Sequence, residues 1–250
     1  WKKAGLTAQL SHTATRADKS NFSMMASCRP GDSQVLCANE ASYATTALKV
    51  ENAFDLALGA WEGTLVVGGQ LSAQDRNAVS SLGPMPSHPE GQNKMLGLYA
   101  QGEFTLNDKL TITPGLRVDF GRFTPSTASA AQGGANVSNT AISPKIAAMY
   151  KLNDSFSVFG SVAHTERMPT IDELYQYNTT AGRVPVRTAS TGLRKEQAET
   201  VELGFAFQKD GVFGADDSLQ VKLTGFHNDL TDKIATRPAS QATPGLSYYD

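Results

Sequence analysis

The 250-residue chain is long enough for one large β domain or two ordinary domains, and its 40% hydrophobic content permits a packed structure. A net charge of −2 gives no electrostatic reason to expect nucleic acid or an anionic membrane surface as a partner. No stretch approaches the length of about 18 uninterrupted apolar residues that a transmembrane helix needs.

The only two cysteines, Cys28 and Cys37, lie in the polar stretch "SCRPGDSQVLCAN". Two cysteines cannot complete a zinc site, and the CxxC spacing of thioredoxin-type redox motifs is absent, so we predict no metal site here. A small loop closed by a disulfide is the favoured interpretation, and it implies an oxidising compartment. The alternative is a pair of unpaired cytosolic thiols.

Segments that alternate apolar and polar residues with the period of a β-strand recur along the chain. In "LTITPGLRVDFG", Leu116 and Val118 share one face, whereas Arg117 and Asp119 share the other. The predicted strands cover residues 5–15, 46–58, 63–73, 96–104, 110–121, 141–150, 156–164, 201–207 and 219–229. Pro114 and Pro144 lie within the apolar faces, which is unusual for central strands.

The connections between these strands alternate between short and long. The short ones are "AWEG", "TLNDK", "KLNDS" and "KDGVFGADDS"; the long polar ones cover 17–42, 74–94, 122–140, 166–198 and the run from 235. This alternation predicts an all-β, antiparallel, up-and-down transmembrane barrel, of which the chain supplies about nine strands. The alternative is a soluble β-sandwich, whose strands are shorter and whose connections lack this asymmetry.

Four segments between residues 45 and 235 carry motifs in a specific order: "TPGLRVDF", "ISPKIAAMYKLNDSFSVFGSVAHTERMPTIDELY", "GLRKEQAETVELGFAF" and "LTGFHNDLTDKI". In order and spacing they resemble the barrel of TonB-dependent outer-membrane receptors. The positions that match the family motifs are Arg167, Pro169, Leu174, Tyr175, Leu193 and Glu196. The chain departs from the family where "ERMP" replaces a Phe-Arg-Ala-Pro core and "STGL" replaces an Asn-Pro-Asn-Leu core.

The resemblance implies a complete protein with a barrel of about 22 strands and a plugged lumen. We expect residues 1–250 to be an internal part of this one barrel domain, with the plug and the terminal strands outside it. The family further implies a Gram-negative outer membrane, contact with its lipid, and ligand import with energy from TonB. It implies no enzymatic chemistry and no bound cofactor.

The stretch "ERMPTIDELYQY" opens the loop that, in the family, binds the ligand. Pro169 bars the preceding strand from continuing as a ladder partner. Thr170 followed by Glu173 predicts a capping box at the start of a short helical turn. The alternative is an ordinary exposed loop with a fortuitous capping pattern.

An iron chelate is the expected ligand, either a siderophore or haem. A bulky anionic siderophore chelate would be met by arginines and aromatics. Haem would need an axial histidine or tyrosine, and His88 in "MPSHPEG" is the best-placed histidine because none lies between the two flanking motifs. The candidate ligand-binding residues are Arg167, Tyr175, Tyr177, Arg183, Arg187, Arg194 and His88.

Two other functions remain open, a passive porin and a barrel enzyme. An enzyme would need nucleophile and base groups that converge at one rim of the barrel. Ser161 and His164 are three residues apart on one predicted strand, so they face opposite sides and cannot pair.

Overall fold

A computed structural model of the chain describes residues 5–20, 38–80, 88–177, 187–214, 216–236 and 245–250. The strands are β1 (Gly5–Ser20), β2 (Ala38–Leu58), β3 (Trp61–Ser80), β4 (Gly91–Leu106), β5 (Leu110–Pro125), β6 (Val137–Lys151), β7 (Phe156–Arg167), β8 (Arg187–Thr188), β9 (Glu196–Asp210), β10 (Ser218–Thr231), β11 (Ala235–Thr236), β12 (Gly245–Leu246) and β13 (Tyr248–Tyr249). The helices are α1 (Thr127–Ala130) and α2 (Ile171–Tyr175). Cys28, Cys37 and Arg183 lie outside the described residues.

Nine of the described strands form one sheet in which each long strand pairs antiparallel with the next long strand along the chain. The order is β1-β2-β3-β4-β5-β6-β7-β9-β10, so the predicted up-and-down meander of about nine strands is confirmed. The sheet is an open piece of barrel wall with β1 and β10 at its edges. The two-residue strands pair among themselves, β11 with β13 and β12 with β8.

The strands are longer than the sequence pattern predicted, mostly at the end of the sheet where the long connections lie. Strand β2 begins at Ala38, whereas the pattern predicted a start at residue 46, and β3 continues to Ser80 beyond the predicted end at residue 73. The residues before the apolar run of β2 show no regular alternation: Ser42 is polar and Ala44 is apolar, although both share one face of the strand. The pattern therefore marks the apolar band of each strand and not its polar extension.

The short connections are tight turns, as predicted. Between β4 and β5, Asn107 and Asp108 have φ of 48° and 55°, and Lys109 donates its backbone N–H to the Leu106 carbonyl at 3.0 Å. Positive φ at both central residues is the conformation of a type I′ turn, which matches strand twist, and Asn and Asp tolerate it. Gly59, with φ of 66°, serves the turn between β2 and β3.

The two faces of the sheet differ in the way that the alternation predicted. Leu10, Leu48, Leu71, Leu96 and Phe120 are successive cross-strand partners and form an apolar row on one face. We call this the outer face; Leu10, Leu48, Leu71 and Phe120 are exposed on it. The opposite, inner face carries charge: Tyr99 donates to Glu51 at 2.6 Å, and Arg117 forms a bidentate pair with Asp119.

Pro114 and Pro144 interrupt the ladder on one side only. The β4–β5 pairing is missing between Gln101↔Gly115 and Phe104↔Ile112, where Pro114 stands, while Pro114 still pairs with Ile146 of β6. The β6–β7 pairing stops at Lys145, the residue after Pro144. Because proline has no N–H, each ring removes a hydrogen bond to one neighbour and leaves the other neighbour in place.

Beyond Pro144, side chains replace the missing backbone ladder between β6 and β7. The Glu166 carboxylate accepts the backbone N–H of Ile142 at 2.7 Å, and the Ser143 hydroxyl accepts the backbone N–H of Glu166 at 3.2 Å. The two strands thus stay attached where β7 approaches the long loop.

Within the described ranges, neither helix has the length and apolar character that a membrane span requires.

Candidate ligand-binding site

The segment that follows β7 folds back onto the inner face of the sheet. Met168, Ile171, Leu174 and Tyr175 of this segment are buried against one another and against the wall residue Phe123. The remaining buried members of the cluster are Ala141, Leu193 and Ile234. This hydrophobic cluster fixes the position of α2 against the barrel wall.

Helix α2 begins at the predicted capping box. The Thr170 hydroxyl accepts the backbone N–H of Glu173 at 3.3 Å, and the Glu173 carboxylate accepts the backbone N–H of Thr170 at 2.7 Å. Each acceptor satisfies an amide that would have no partner at the start of a helix. Pro169 is fully buried directly before the box. The predicted helical turn after the proline is confirmed.

Arg167 joins the end of β7 to both the helix and the next long strand. Its two terminal nitrogens contact the Glu173 carboxylate at 2.9 and 3.0 Å, and its Nε contacts the Glu196 carboxylate at 2.5 Å. A guanidinium presents several donors in a rigid plane, so one side chain can hold two carboxylates. All three of these residues hold the loop in place.

A second arginine holds α2 from the opposite side. Arg76 of β3 is 8% exposed, and its guanidinium pairs with the Asp172 carboxylate at 2.7 Å. It also lies 4.4 Å from the ring centroid of Tyr43, close enough for a cation–π contact. Arg76 was not among the site residues predicted from the sequence, because only the pairing of β2 with β3 and the return of α2 bring these groups together.

A cavity of about 540 Å³ lies between α2 and the inner face. Its lining includes three arginines, Arg76, Arg117 and Arg167. The other charged or polar residues that line it are Asp119, Glu166, Asp172, Tyr43, Gln74, Asn93 and Thr170. Cavities of this volume hold small ligands, and convergent polar groups in them fix ligand orientation.

Two buried polar atoms of the cavity residues lack a hydrogen-bond partner among the described residues, Nε of Arg76 and Oδ1 of Asn93. A buried polar atom without a partner costs free energy, so such atoms require an explanation.

The Arg117–Asp119 pair that lines the cavity needs a glycine on the neighbouring strand. A side chain at Gly97 would collide with the guanidinium of Arg117 and, at 2.5 Å, with the Asp119 carboxylate. Gly97 therefore leaves the space in which the Arg117–Asp119 pair lies flat on the wall.

The two tyrosines predicted as ligand contacts are buried within the loop and do not line this cavity. The Tyr175 hydroxyl donates to the Ala135 carbonyl at 3.0 Å, and burial raises the pKa of its phenol to about 12. Burial also raises the pKa of Tyr177. The Tyr175 ring thus holds α2 against the neighbouring β5–β6 connection.

The remaining predicted residues lie around the loop and do not meet at one point. Arg194 is mostly exposed and pairs with Asp232 at 2.7 Å and with Asp250 at 3.0 Å. Arg187 belongs to β8, which pairs with β12. His88 is half-buried just before β4.

Ser161 and His164 have different partners on the two faces of β7. The Ser161 hydroxyl donates to Glu202 at 3.3 Å, and the His164 ring contacts Glu199 at 2.5 Å. They do not contact one another as nucleophile and base.

The family model described as "TonB dependent receptor-like, beta-barrel" matches residues 3–250, which is almost the whole chain. The chain belongs to this family. The recognition made from the four motifs is therefore confirmed, and the wall described above is part of the barrel of a TonB-dependent receptor.

Known relatives of this TonB-dependent receptor are larger proteins. A hemin receptor of Yersinia pestis is 29% identical over 170 residues, which are 64% of this chain and 24% of that protein. The chain spans between 9% and 27% of the length of the curated relatives that it matches.

Solved structures of two receptors share the fold. The hemophore receptor of Serratia marcescens, solved with its hemophore and heme, has a TM-score of 0.70 at 16% identity, over 85% of this chain and 38% of that one. The ferric enterobactin receptor of Pseudomonas aeruginosa has a TM-score of 0.69 at 21% identity, over 99% of this chain and 36% of that one.

Proposed function

We propose that this chain is part of the wall of a receptor in the outer membrane of a Gram-negative bacterium, which binds an iron chelate outside and imports it with energy from TonB. Residues 1–250 then belong to a single barrel domain, and the plug and the terminal strands lie elsewhere in the complete protein. Membership of the family supports this proposal, as do relatives named for hemin, heme and ferric enterobactin.

The observation that carries the proposal is the cavity beneath α2. Ferric siderophores and haem both present anionic oxygens, and guanidinium groups bind such oxygens with paired, charge-assisted hydrogen bonds. Arg76 of β3 and Arg117 of β5 line this cavity, and so does Arg167 at the end of β7. A chelate that enters would compete with Asp172 for Arg76 and could thereby shift α2.

Growth on single iron sources tests the proposal in a strain that carries the full-length receptor. Deleting residues 178–186 removes chain between the two anchored ends of the loop. It spares Ser190, whose backbone N–H donates to the Leu174 carbonyl at 2.7 Å. We expect loss of growth on one iron source while the barrel stays in the membrane, since external loops tolerate change better than strands.

The same assay separates haem from a siderophore. Replacing His88 with Ala lowers growth on haem if haem is the cargo, and leaves growth on ferric siderophores unchanged. If the loop deletion leaves every iron source usable and small solutes leak through the barrel, the protein is a porin and the proposal is wrong.

A further inference from the structure

Two cations are adjacent on the outer face of the sheet. Lys94 of β4 and Arg122 of β5 are cross-strand partners, and both are exposed. Each cation lies at the end of the apolar run of its strand that is nearer to the long connections. Lys94 is two residues from Leu96 on β4, and Arg122 is two residues from Phe120 on β5. The pair therefore lies at the upper limit of the apolar band of the barrel.

A groove of about 610 Å³ runs across the sheet below this pair. Its apolar lining is the cross-strand row that includes Leu48, Leu71 and Leu96, and Lys94 and Arg122 line the same groove. Short side chains flank the pair in the same cross-strand row, with Ala73 and Thr46 on one side and Ser138 on the other.

The pair differs from the other cations near this end of the outer face. Arg16 pairs with Glu40 at 2.9 Å, and Lys195 pairs with Glu166 at 2.6 Å. In the part of the chain that the structure describes, neither Lys94 nor Arg122 has a carboxylate partner. Asp75, one row further out, accepts a hydrogen bond from Gln92 at 2.6 Å.

We propose that Lys94 and Arg122 bind the phosphate of a phosphorylated lipid in the outer leaflet, whose acyl chain lies in the groove below them. The inference rests on the proposed membrane location. Two adjacent exposed cations at the end of an apolar groove complement an anionic headgroup on an apolar tail. Arg122 supplies a planar fork for phosphate oxygens, and Lys94 supplies a point charge beside it.

Binding of a lipid probe to the full-length receptor in nanodiscs of zwitterionic phospholipid tests the site. The probe is a fluorescent lipid A with its phosphates, compared with the same lipid after enzymatic removal of the phosphates. The variant is Lys94→Gln/Arg122→Gln. The matched control is Lys145→Gln, which removes a cation from the inner face of the neighbouring strand β6.

We expect the double variant to bind the phosphorylated lipid roughly 30-fold more weakly, at about fivefold per cation. Binding of the dephosphorylated lipid stays unchanged, and the control binds both lipids as wild type does. Inorganic phosphate in millimolar amounts does not compete, because it lacks the acyl chain.

Equal binding of the phosphorylated lipid by wild type and double variant would overturn the proposal, as would an equal loss in the control. Competition by inorganic phosphate alone would show an anion site without a lipid. Uptake of the iron chelate is measured in parallel. If the receptor imports no chelate and the double variant still loses the lipid, the proposed function fails while the lipid site stands.

Discussion

Arg167 holds two carboxylates at the root of the loop, one from α2 and one from β9. Losing its charge removes the cation that Glu173 and Glu196 share. Since Arg167 is 41% exposed, solvent screens part of the interaction. The residue therefore stabilises the loop moderately, and its effect is local.

Replacing Arg167 with Gln is expected to loosen α2 by about 1 kcal/mol, which is close to a fivefold change in an opening equilibrium. Hydrogen exchange of the backbone amides of α2 in the full-length receptor measures this directly. Lys145→Gln, a charge loss on the inner face away from the loop, is the control and leaves the exchange rates unchanged. Equal exchange in wild type and Arg167→Gln would contradict the assigned role.

Tyr175 gives the loop a dependence on alkaline pH. Burial raises the pKa of its phenol to about 12, above the ordinary value of about 10. The stability from packing the neutral ring is fully present below pH 10 and is lost as the pH rises from about 10 to about 12, because only the unfolded loop ionises readily in that window.

An ultraviolet titration of tyrosinate in wild type and Tyr175→Phe tests this shift. We expect the difference between the two proteins to titrate with a midpoint near pH 12. A midpoint at the ordinary value of about 10 would show that the ring is in water. The same variant loses the hydrogen bond to Ala135, at a cost of about 1 kcal/mol.

The elements of the fold differ in how much of each the sequence predicted. The apolar band of β5 was visible because Leu116 and Val118 alternate with Arg117 and Asp119. The capping box of α2 was visible because it depends on residues three positions apart. The polar ends of β2 and β3 were missed, since polar side chains there carry no strand period.

The cavity was not predictable from the chain alone. Arg76 and Asp172 are far apart in sequence, and only the order of β3 to β7 in one sheet and the return of α2 bring them to 2.7 Å. Tyr175 matched a family motif, but the motif does not say that the ring is buried. Composition predicted an arginine-rich loop, whereas all three arginines of the cavity lie on strands of the wall.

Both helices begin with a hydroxyl cap, Thr170 for α2 and Ser126 for α1, so the second cap serves as a control for the first. Thr170→Ala removes the hydroxyl that accepts the Glu173 amide, and Ser126→Ala removes the hydroxyl that accepts the Ser129 amide at 3.2 Å. Each loss costs about 1 kcal/mol in its own helix. We expect Thr170→Ala to speed exchange in α2 and weaken chelate binding. Ser126→Ala affects α1 alone, and a similar loss of binding in both variants would argue against a specific role for α2.

Over the described residues the molecule is an open wall with two unpaired edges, β1 and β10, and an exposed apolar outer face. Unpaired edges and large apolar patches promote association in water. Residues 1–250 expressed alone without detergent are therefore expected to aggregate. Sedimentation analysis that finds a soluble, cooperatively melting monomer would contradict a membrane wall.

Equilibrium binding by the full-length receptor tests most directly the claim that the cavity beneath α2 receives an anionic iron chelate. The probes are haem and a ferric tris-catecholate, and the variants are Arg76→Gln and Asp172→Asn. Both variants break the same ion pair, but only the first removes the cation that a chelate would use. We predict that Arg76→Gln binds one probe about 10- to 100-fold more weakly, as expected for loss of hydrogen bonds to a charged group. Asp172→Asn retains binding. Equal affinities of wild type and Arg76→Gln for both probes, or equal losses in the two variants, would contradict the account.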